Sequence, residues 1–211
     1  MIRSDVLKTL VPFISDKLVV TNIGLPSQEM HLIDDQPTNF YMLGTMGLAS
    51  SIGLGLALAQ DKKVLVVDGD GSVLMNFGTL PTTANNPSAN YILLIIDNGS
   101  YGSTGDQTTY TGKKTNLAEV ARACGCENVI ECSAEETASV VEAAPAASDA
   151  SFRDLGWAGG EEPAGEGRDK VDPVLGAQQS LAAHSFAERL KSERERQNAL
   201  SRADDVMRRV R

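Results

Sequence analysis

Two unbroken apolar runs constrain this chain more than any other feature. KVLVVD spans residues 63–68 and NYILLIID spans 90–97. Neither alternates polar with apolar residues, so neither suits a strand with one wet face. Runs of this kind fit strands buried on both faces, as in a parallel sheet covered by helices. Each run leads into a carboxylate or amide beside glycine: Asp68-Gly69-Asp70-Gly71 after the first, Asn98-Gly99 after the second. Asp-Gly and Asn-Gly pairs are favoured hairpin turns, and a plain turn is one reading. Against it, a parallel strand is followed by a crossover rather than a tight turn. The tips of such strands are also where α/β sheets bind ligands.

Helical and strand-like segments alternate around these runs. Helices are expected over 4–14, 27–35, 47–60, 117–125 and 134–144. Further strands are expected over 17–22, 39–43 and 128–132. The helix over 47–60 is built of small apolar residues, and Gly53 and Gly55 are read as points of close packing. Another helix should open at Ser72; Pro81 falls inside it, lacks an N–H and crowds the Phe77 carbonyl, so a break is expected between them. The alternation predicts an α/β fold with a doubly wound, mostly parallel sheet over residues 1–144. Residues 145–180 are rich in Gly, Ala, Pro and charge, and are expected to form a poorly ordered linker that adds no strand. Residues 181–211 read as a charged helical tail whose apolar stripe is broken.

Composition narrows the function. The chain is 42% hydrophobic but only 5% aromatic, so Val, Ile, Leu and Ala must fill the core. A formal net charge of -9 argues against non-specific nucleic-acid binding. No stretch reaches the ~18 apolar residues of a membrane span, and the start lacks the pattern of a signal peptide. Cys124, Cys126 and Cys132 are odd in number, which fits a reducing cytoplasm and not a disulfide framework. No fourth metal ligand accompanies them. No G-x-G-x-x-G opens a helix after the first strand, which disfavours a dinucleotide binder.

The residues at 69–72 suit a bound anion and cation. Gly69 and Gly71 let a backbone approach an anion closely, and the N–H groups of a helix opening at Ser72 attract phosphate. Asp70 offers a hard carboxylate oxygen for Mg²⁺. Asn98 lies 28 residues beyond Asp70, room for one helix and one strand back to the same edge. A main-chain carbonyl just after Asn98 would add a third oxygen.

GDG followed at this spacing by Asn resembles the signature of thiamine-diphosphate enzymes. TNIGLPSQEM (21–30), NFYMLGTMGLASSIGLGLALA (39–59), DGDGSVLMNFGTL (68–80) and IIDNGSYGSTGDQTT (95–109) resemble the sulfopyruvate decarboxylase β-subunit family. Phosphonopyruvate decarboxylases are similar in the same places. The resemblance covers residues 1 to about 142. It implies that Asp70, Asn98 and the Ser100 carbonyl hold Mg²⁺, and that Gly69, Gly71 and Ser72 hold the diphosphate. It also implies that the Gly44 carbonyl accepts a hydrogen bond from the aminopyrimidine and that Met46 holds the cofactor bent, making these the catalytic positions. Thr45 and Tyr101 complete the cofactor-binding set.

The resemblance further implies decarboxylation of a small anionic 2-oxo acid: sulfopyruvate to sulfoacetaldehyde and CO₂, in coenzyme M biosynthesis. Phosphonopyruvate or another 2-oxo acid is the alternative substrate, and an inactive cofactor-binding interaction subunit the alternative role. Family members draw the pyrimidine-activating Glu from a pyrimidine-binding domain that is missing here, so an α subunit is the expected partner in a hetero-oligomer. Lys113 and Lys114 are the local cations near the glycine-rich loop 99–112, with solvated loop lysines as the plainer reading. His31 is a candidate proton donor, with a helix-surface histidine as the plainer reading. Tyr101 and Tyr110 are both candidate substrate contacts.

Overall fold

A computed structural model describes residues 3–143 and 151–156. In chain order the elements are α1 (Arg3–Leu10), β1 (Leu18–Thr21), α2 (Leu25–Ile33), β2 (Asn39–Tyr41), α3 (Ala49–Ala59), β3 (Val64–Gly69), α4 (Asp70–Met75), α5 (Thr79–Asn85), β4 (Tyr91–Asp97), β5 (Ser100–Tyr101), β6 (Gln107–Thr108), α6 (Leu117–Ala123), β7 (Asn128–Glu131), α7 (Thr137–Glu142) and β8 (Ser151–Gly156). Six strands form one parallel sheet in the order β2-β1-β3-β4-β8-β7. The two apolar runs are its centre: β3 and β4 pair from Val64↔Tyr91 to Gly69↔Ile96.

Side chains alternate between two separate cores, one on each face. Val64, Val66, Leu93 and Ile95 point to one face, where Leu54 of α3, Leu80 of α5 and Leu117 of α6 cover them. Leu65, Val67, Ile92 and Leu94 point to the other, against Leu7 of α1, Met30 of α2 and Val141 of α7. This double covering is why the runs are apolar at every position and why the fold is doubly wound. Local chemistry sets the element ends. Pro26 stands in the first turn of α2, where a missing N–H costs nothing. Asn116 caps α6 by accepting from the Glu119 N–H at 2.8 Å. Among the described residues no helix is long and apolar enough to cross a membrane.

Several expectations need correction. The helix after β3 begins at Asp70, not Ser72, with Gly69 as its N-cap. It stops at Met75, and α5 starts at Thr79 with Pro81 in its first turn, so the expected break is present and Pro81 is harmless there. Gly53 is a close-packing point, since a β-carbon on it would lie 2.0 Å from Val66 Cγ2; Gly55 faces open space.

The largest difference is β8. Its sequence, SFRDLG, lies inside the stretch read as a strandless linker, so the domain runs past residue 144. It has no β-branched residue, and the sequence shows no strand there. Pairing on both sides makes it one: it aligns with Ile92–Asp97 of β4 and with Asn128–Glu131 of β7. Position in a sheet outweighs intrinsic propensity. Among the described residues the sheet therefore ends in two short edges, β2 and β7, which is a common defence against edge pairing. The charged tail expected at 181–211 and the rest of the linker lie outside the described residues.

Candidate functional site

The chain leaves β1 outward, through α2 on one face, to β2. It then returns through α3 on the other face to β3. The strand order reverses between β1 and β3, and ligands in open α/β sheets bind at the carboxyl ends beside such a reversal. The segments that emerge there are Asn22–Gly24 after β1, Met42–Leu48 after β2, Asp70–Ser72 after β3 and Asn98–Thr111 after β4.

Asp70 is the first residue of α4 and is buried. Its Oδ2 accepts from the Thr109 hydroxyl at 2.6 Å and from the Thr111 hydroxyl at 2.9 Å. Asn98 follows β4 one strand over. Because Gly69 pairs with Ile96, Asp70 and Asn98 stand just beyond neighbouring points on adjacent strands. The Asn98 Oδ1 accepts from the Ser100 N–H at 3.2 Å, and Asp97 Oδ1 accepts from the Gly99 N–H at 3.0 Å. Gly99 has φ +65°, and a β-carbon there would stand 3.2 Å from Gly112 Cα, so the tight turn at the tip of β4 demands glycine. Burial, then the charge of Asp70, pushes the Asp97 carboxyl upward, against the Thr111 hydroxyl and the Gly99 amide.

These residues fit a divalent cation. A carboxylate, an amide oxygen and a main-chain carbonyl near them are hard oxygen donors of the type Mg²⁺ takes. Among the described residues no group of three His, Cys, Asp or Glu side chains offers a rival metal site, and Cys124, Cys126 and Cys132 form no disulfide.

Gly71 is the tightest point in the site. A β-carbon on it would lie 2.4 Å from Tyr101 Cε1 and 3.4 Å from Thr109 Cγ2. Tyr101 belongs to a small antiparallel hairpin, β5–β6, with Ser100 opposite Thr108 and Tyr101 opposite Gln107. This hairpin gives a defined structure to part of the glycine-rich loop 99–112.

The connector 42–48 carries Gly44, Thr45 and Met46. All three are exposed, and Thr45 has φ 62°, a strained conformation for a β-branched residue and one that clusters at functional sites. Gly47 (φ +95°) is held by the region after β3: its N–H donates to Ser72 Oγ at 2.9 Å, and its carbonyl accepts from Asn76 Nδ2 at 2.8 Å. The Ser72 hydroxyl is thus buried against Gly47. Its expected part in diphosphate binding falls to its backbone N–H in the first turn of α4.

Asp68, beneath this crossing, is buried at 1% exposure. Burial raises its carboxyl to about 6, against the pull of the Ser72 hydroxyl and the Gly69 and Ser50 amides. Its Oδ1 accepts from the Gly69 N–H at 2.9 Å.

Other candidates stand apart from this cluster. His31 pairs with Asp35 at 3.4 Å and meets Tyr41 edge-on; none of the site residues touches it. Lys113 Nζ sits 5.9 Å over the exposed Tyr110 ring. Lys114 lines an open groove of about 750 Å³ with Leu74, Phe77 and Val120. The sequence reading missed Thr109, Thr111 and Asn76. The only signal was a run of hydroxyl residues, TTYT at 108–111, inside a loop otherwise typical of surface.

Comparison with known proteins identifies the family and the fold. Residues 25–153 match the family model described as thiamine pyrophosphate enzyme, C-terminal TPP binding domain. The chain is 55% identical over 135 residues to the sulfopyruvate decarboxylase subunit beta of Methanocaldococcus jannaschii, a match that spans 64% of this chain and 72% of that one. It is 42% identical over 134 residues to the phosphonopyruvate decarboxylase of Streptomyces viridochromogenes, covering 64% of this chain and 34% of that enzyme. Benzoylformate decarboxylase from Polynucleobacter necessarius has a similar structure, with a TM-score of 0.62 at 17% identity over 74% of this chain and 33% of that one. At that identity the likeness speaks for the fold alone.

Proposed function

This chain belongs to the thiamine pyrophosphate enzyme family through a C-terminal TPP-binding domain of the sulfopyruvate decarboxylase β-subunit type, and from that premise we propose that it is the cofactor-binding half of an enzyme that converts sulfopyruvate to sulfoacetaldehyde and CO₂. One observation carries the reading. Asp70 and Asn98 follow the paired tips of adjacent strands, where Gly69 faces Ile96, beside the reversal of strand order.

In this reading Asp70, Asn98 and the Ser100 carbonyl hold Mg²⁺. The N–H groups of the first turn of α4, those of Gly71 and Ser72 included, would receive the diphosphate. Thiamine diphosphate, when bound, supplies a carbon nucleophile for the keto group and a cationic ring that takes up the electron pair as CO₂ leaves. The Gly44 carbonyl accepts the hydrogen bond of the pyrimidine amino group. Met46, next to the strained Thr45, would support the bound cofactor.

The partner follows from what surrounds these residues. Leu43, Met46 and Leu48 on the connector are exposed, as are Met75 at the end of α4 and Phe77 just beyond it. A β-carbon on Gly47 would lie 3.3 Å from Met75 Cβ, so the two groups adjoin. Large apolar residues gathered at the mouth of a site support a docking face. An α subunit that covers it and supplies the pyrimidine-activating Glu completes the enzyme. The sulfonate substrate is favoured over the phosphonate by the higher identity to the sulfopyruvate enzyme, and it places the reaction in coenzyme M biosynthesis.

The test is reconstitution. The full chain is mixed with a purified α subunit, thiamine diphosphate and Mg²⁺, and CO₂ release is followed from sulfopyruvate and from phosphonopyruvate. Activity is expected only with both subunits, and greater with sulfopyruvate. Full activity from this chain alone would sink the proposal.

A further inference from the structure

Four oxygens crowd together behind the strand tips. Thr109 Oγ1 lies 2.6 Å from Asp70 Oδ2, and Thr111 Oγ1 lies 2.9 Å from the same atom. Thr111 Oγ1 also lies 2.8 Å from Asp97 Oδ1, and the two hydroxyls are 2.8 Å apart. Each hydroxyl carries one hydrogen, so four short contacts share two hydrogens. With both carboxyls ionised, two contacts therefore set lone pair against lone pair, beside two carboxylates that are partly or wholly removed from water. Such an arrangement is poor in positive charge.

We infer that Thr109 and Thr111 are positioning residues that tie the 99–112 loop to the metal-holding carboxylate, so that cation binding at Asp70 and fastening of the loop are one coupled event. The inference rests on the reading of Asp70 as a metal-holding residue. A cation that draws the negative charge of Asp70 removes the need for two hydroxyl donors on Oδ2. Thr109 then serves Asp70, and Thr111 is free to give its hydrogen to Asp97. The same three-residue stretch is thereby bonded to the tips of β3 and β4 at once.

The loop is built for this. Thr109 is 1% exposed, although residues 103–108 before it are all exposed. Its N–H donates to the Gly99 carbonyl at 2.9 Å, which brings it back across the turn that follows Asn98. Tyr101, on the opposite arm of the hairpin, packs on Gly71. Fastening Thr109 and Thr111 therefore also fixes the segment that offers Asn98 and the Ser100 carbonyl. Second partners of metal-holding carboxylates commonly change affinity by about 10–100-fold when removed.

The experiment uses the full chain with thiamine diphosphate present and Mn²⁺ as the probe. Mn²⁺ affinity is read by electron paramagnetic resonance, and amide hydrogen exchange is followed over residues 99–112. In the unaltered chain, Mn²⁺ should raise protection across this loop. Thr111→Val, which keeps the shape and removes the hydroxyl, should weaken Mn²⁺ binding about 10–100-fold and abolish the gain in protection. Thr111→Ser should restore both, and Thr108→Val, on the exposed arm of the hairpin, should change neither. Thr109→Val should behave like Thr111→Val. Wild-type affinity and protection in Thr111→Val and Thr109→Val would overturn the coupling while leaving the cofactor reading intact. Failure of the unaltered chain to bind Mn²⁺ would overturn both.

Discussion

Gly53→Ala and Gly55→Ala add one methyl group each to the same helix, α3, and should move stability in opposite directions. At Gly53 the new carbon would sit 2.0 Å from Val66 Cγ2 and 3.4 Å from Tyr91 Cε2. Carbon atoms pack at about 3.5–4.0 Å, so helix and sheet would have to part by well over an ångström, or Val66 would have to turn. Val66 is fully buried in the middle of β3 and is β-branched, which leaves it few rotamers. Overpacking of this kind costs about 1–3 kcal/mol. Alanine regains about 0.8–1 kcal/mol over glycine in a helix interior, so Gly53→Ala should lose up to about 2 kcal/mol net. At Gly55 nothing lies within 4 Å, and only the helix gain of about 0.8–1 kcal/mol remains. The helix gain is common to both, so the two variants should differ by the overpacking cost itself, about 1–3 kcal/mol. Urea unfolding reads this as opposite shifts of the midpoint at constant slope. Equal shifts in the two variants would mean that α3 does not seat on β3 through Gly53.

The remaining predictions concern the site and its charges. Asp70→Ala should abolish Mg²⁺-dependent binding of thiamine diphosphate by titration calorimetry and leave the far-ultraviolet circular dichroism unchanged, because Asp70 contributes hydrogen bonds to a loop and none to the sheet. Asp68, raised from 3.8 to about 6 by burial, binds its proton more tightly folded than unfolded. Its contribution is therefore fully present below about pH 4 and is lost as pH rises through 6, a change of about 3 kcal/mol for two pKa units. Asp68→Asn should flatten the stability profile between pH 4 and 6 in denaturant titrations, and an unchanged profile would count against the assignment. Burial pushes the Cys126 thiol up to about 11, so iodoacetamide at pH 8 should label Cys124 and Cys132 well before Cys126, as read by peptide mass spectrometry.

The parts of the fold that were legible in the sequence share one physical cause. A strand buried on both faces must be apolar at every position, so Val64–Val67 and Tyr91–Ile96 announced themselves. Where such a strand ended in Asp70 or Asn98, the polar residue had nowhere to go but the tip, which is why the candidate metal residues were legible too. The strand β8 was hidden because SFRDLG carries no pattern of its own; its partners on either side make it a strand. Thr109 and Thr111 were hidden for a related reason. A hydroxyl residue in a polar loop looks like any solvated threonine until the loop folds back and buries it against a carboxylate more than 35 residues away in sequence.

The short helix α4 is where these strands of argument meet. Its first residue, Asp70, anchors the loop after β4. Its third, Ser72, holds the N–H of Gly47, and Asn76, one turn beyond Ser72, holds the Gly47 carbonyl. Asn76 reaches it from just past the helix end, at φ -132° and ψ 60°, so the early stop of α4 is part of the grip rather than a flaw imposed by Pro81. Both movable segments of the site are therefore referenced to one helical turn, and that turn is a direct continuation of β3. The precision of the cofactor contacts then depends on how firmly β3 is seated. It is seated from one side by α3, through the missing side chain of Gly53. A change there, far from any ligand atom, should loosen the connector that carries Gly44 and Met46. Gly53→Ala should accordingly weaken cofactor binding as well as folding, while Gly55→Ala leaves binding unchanged.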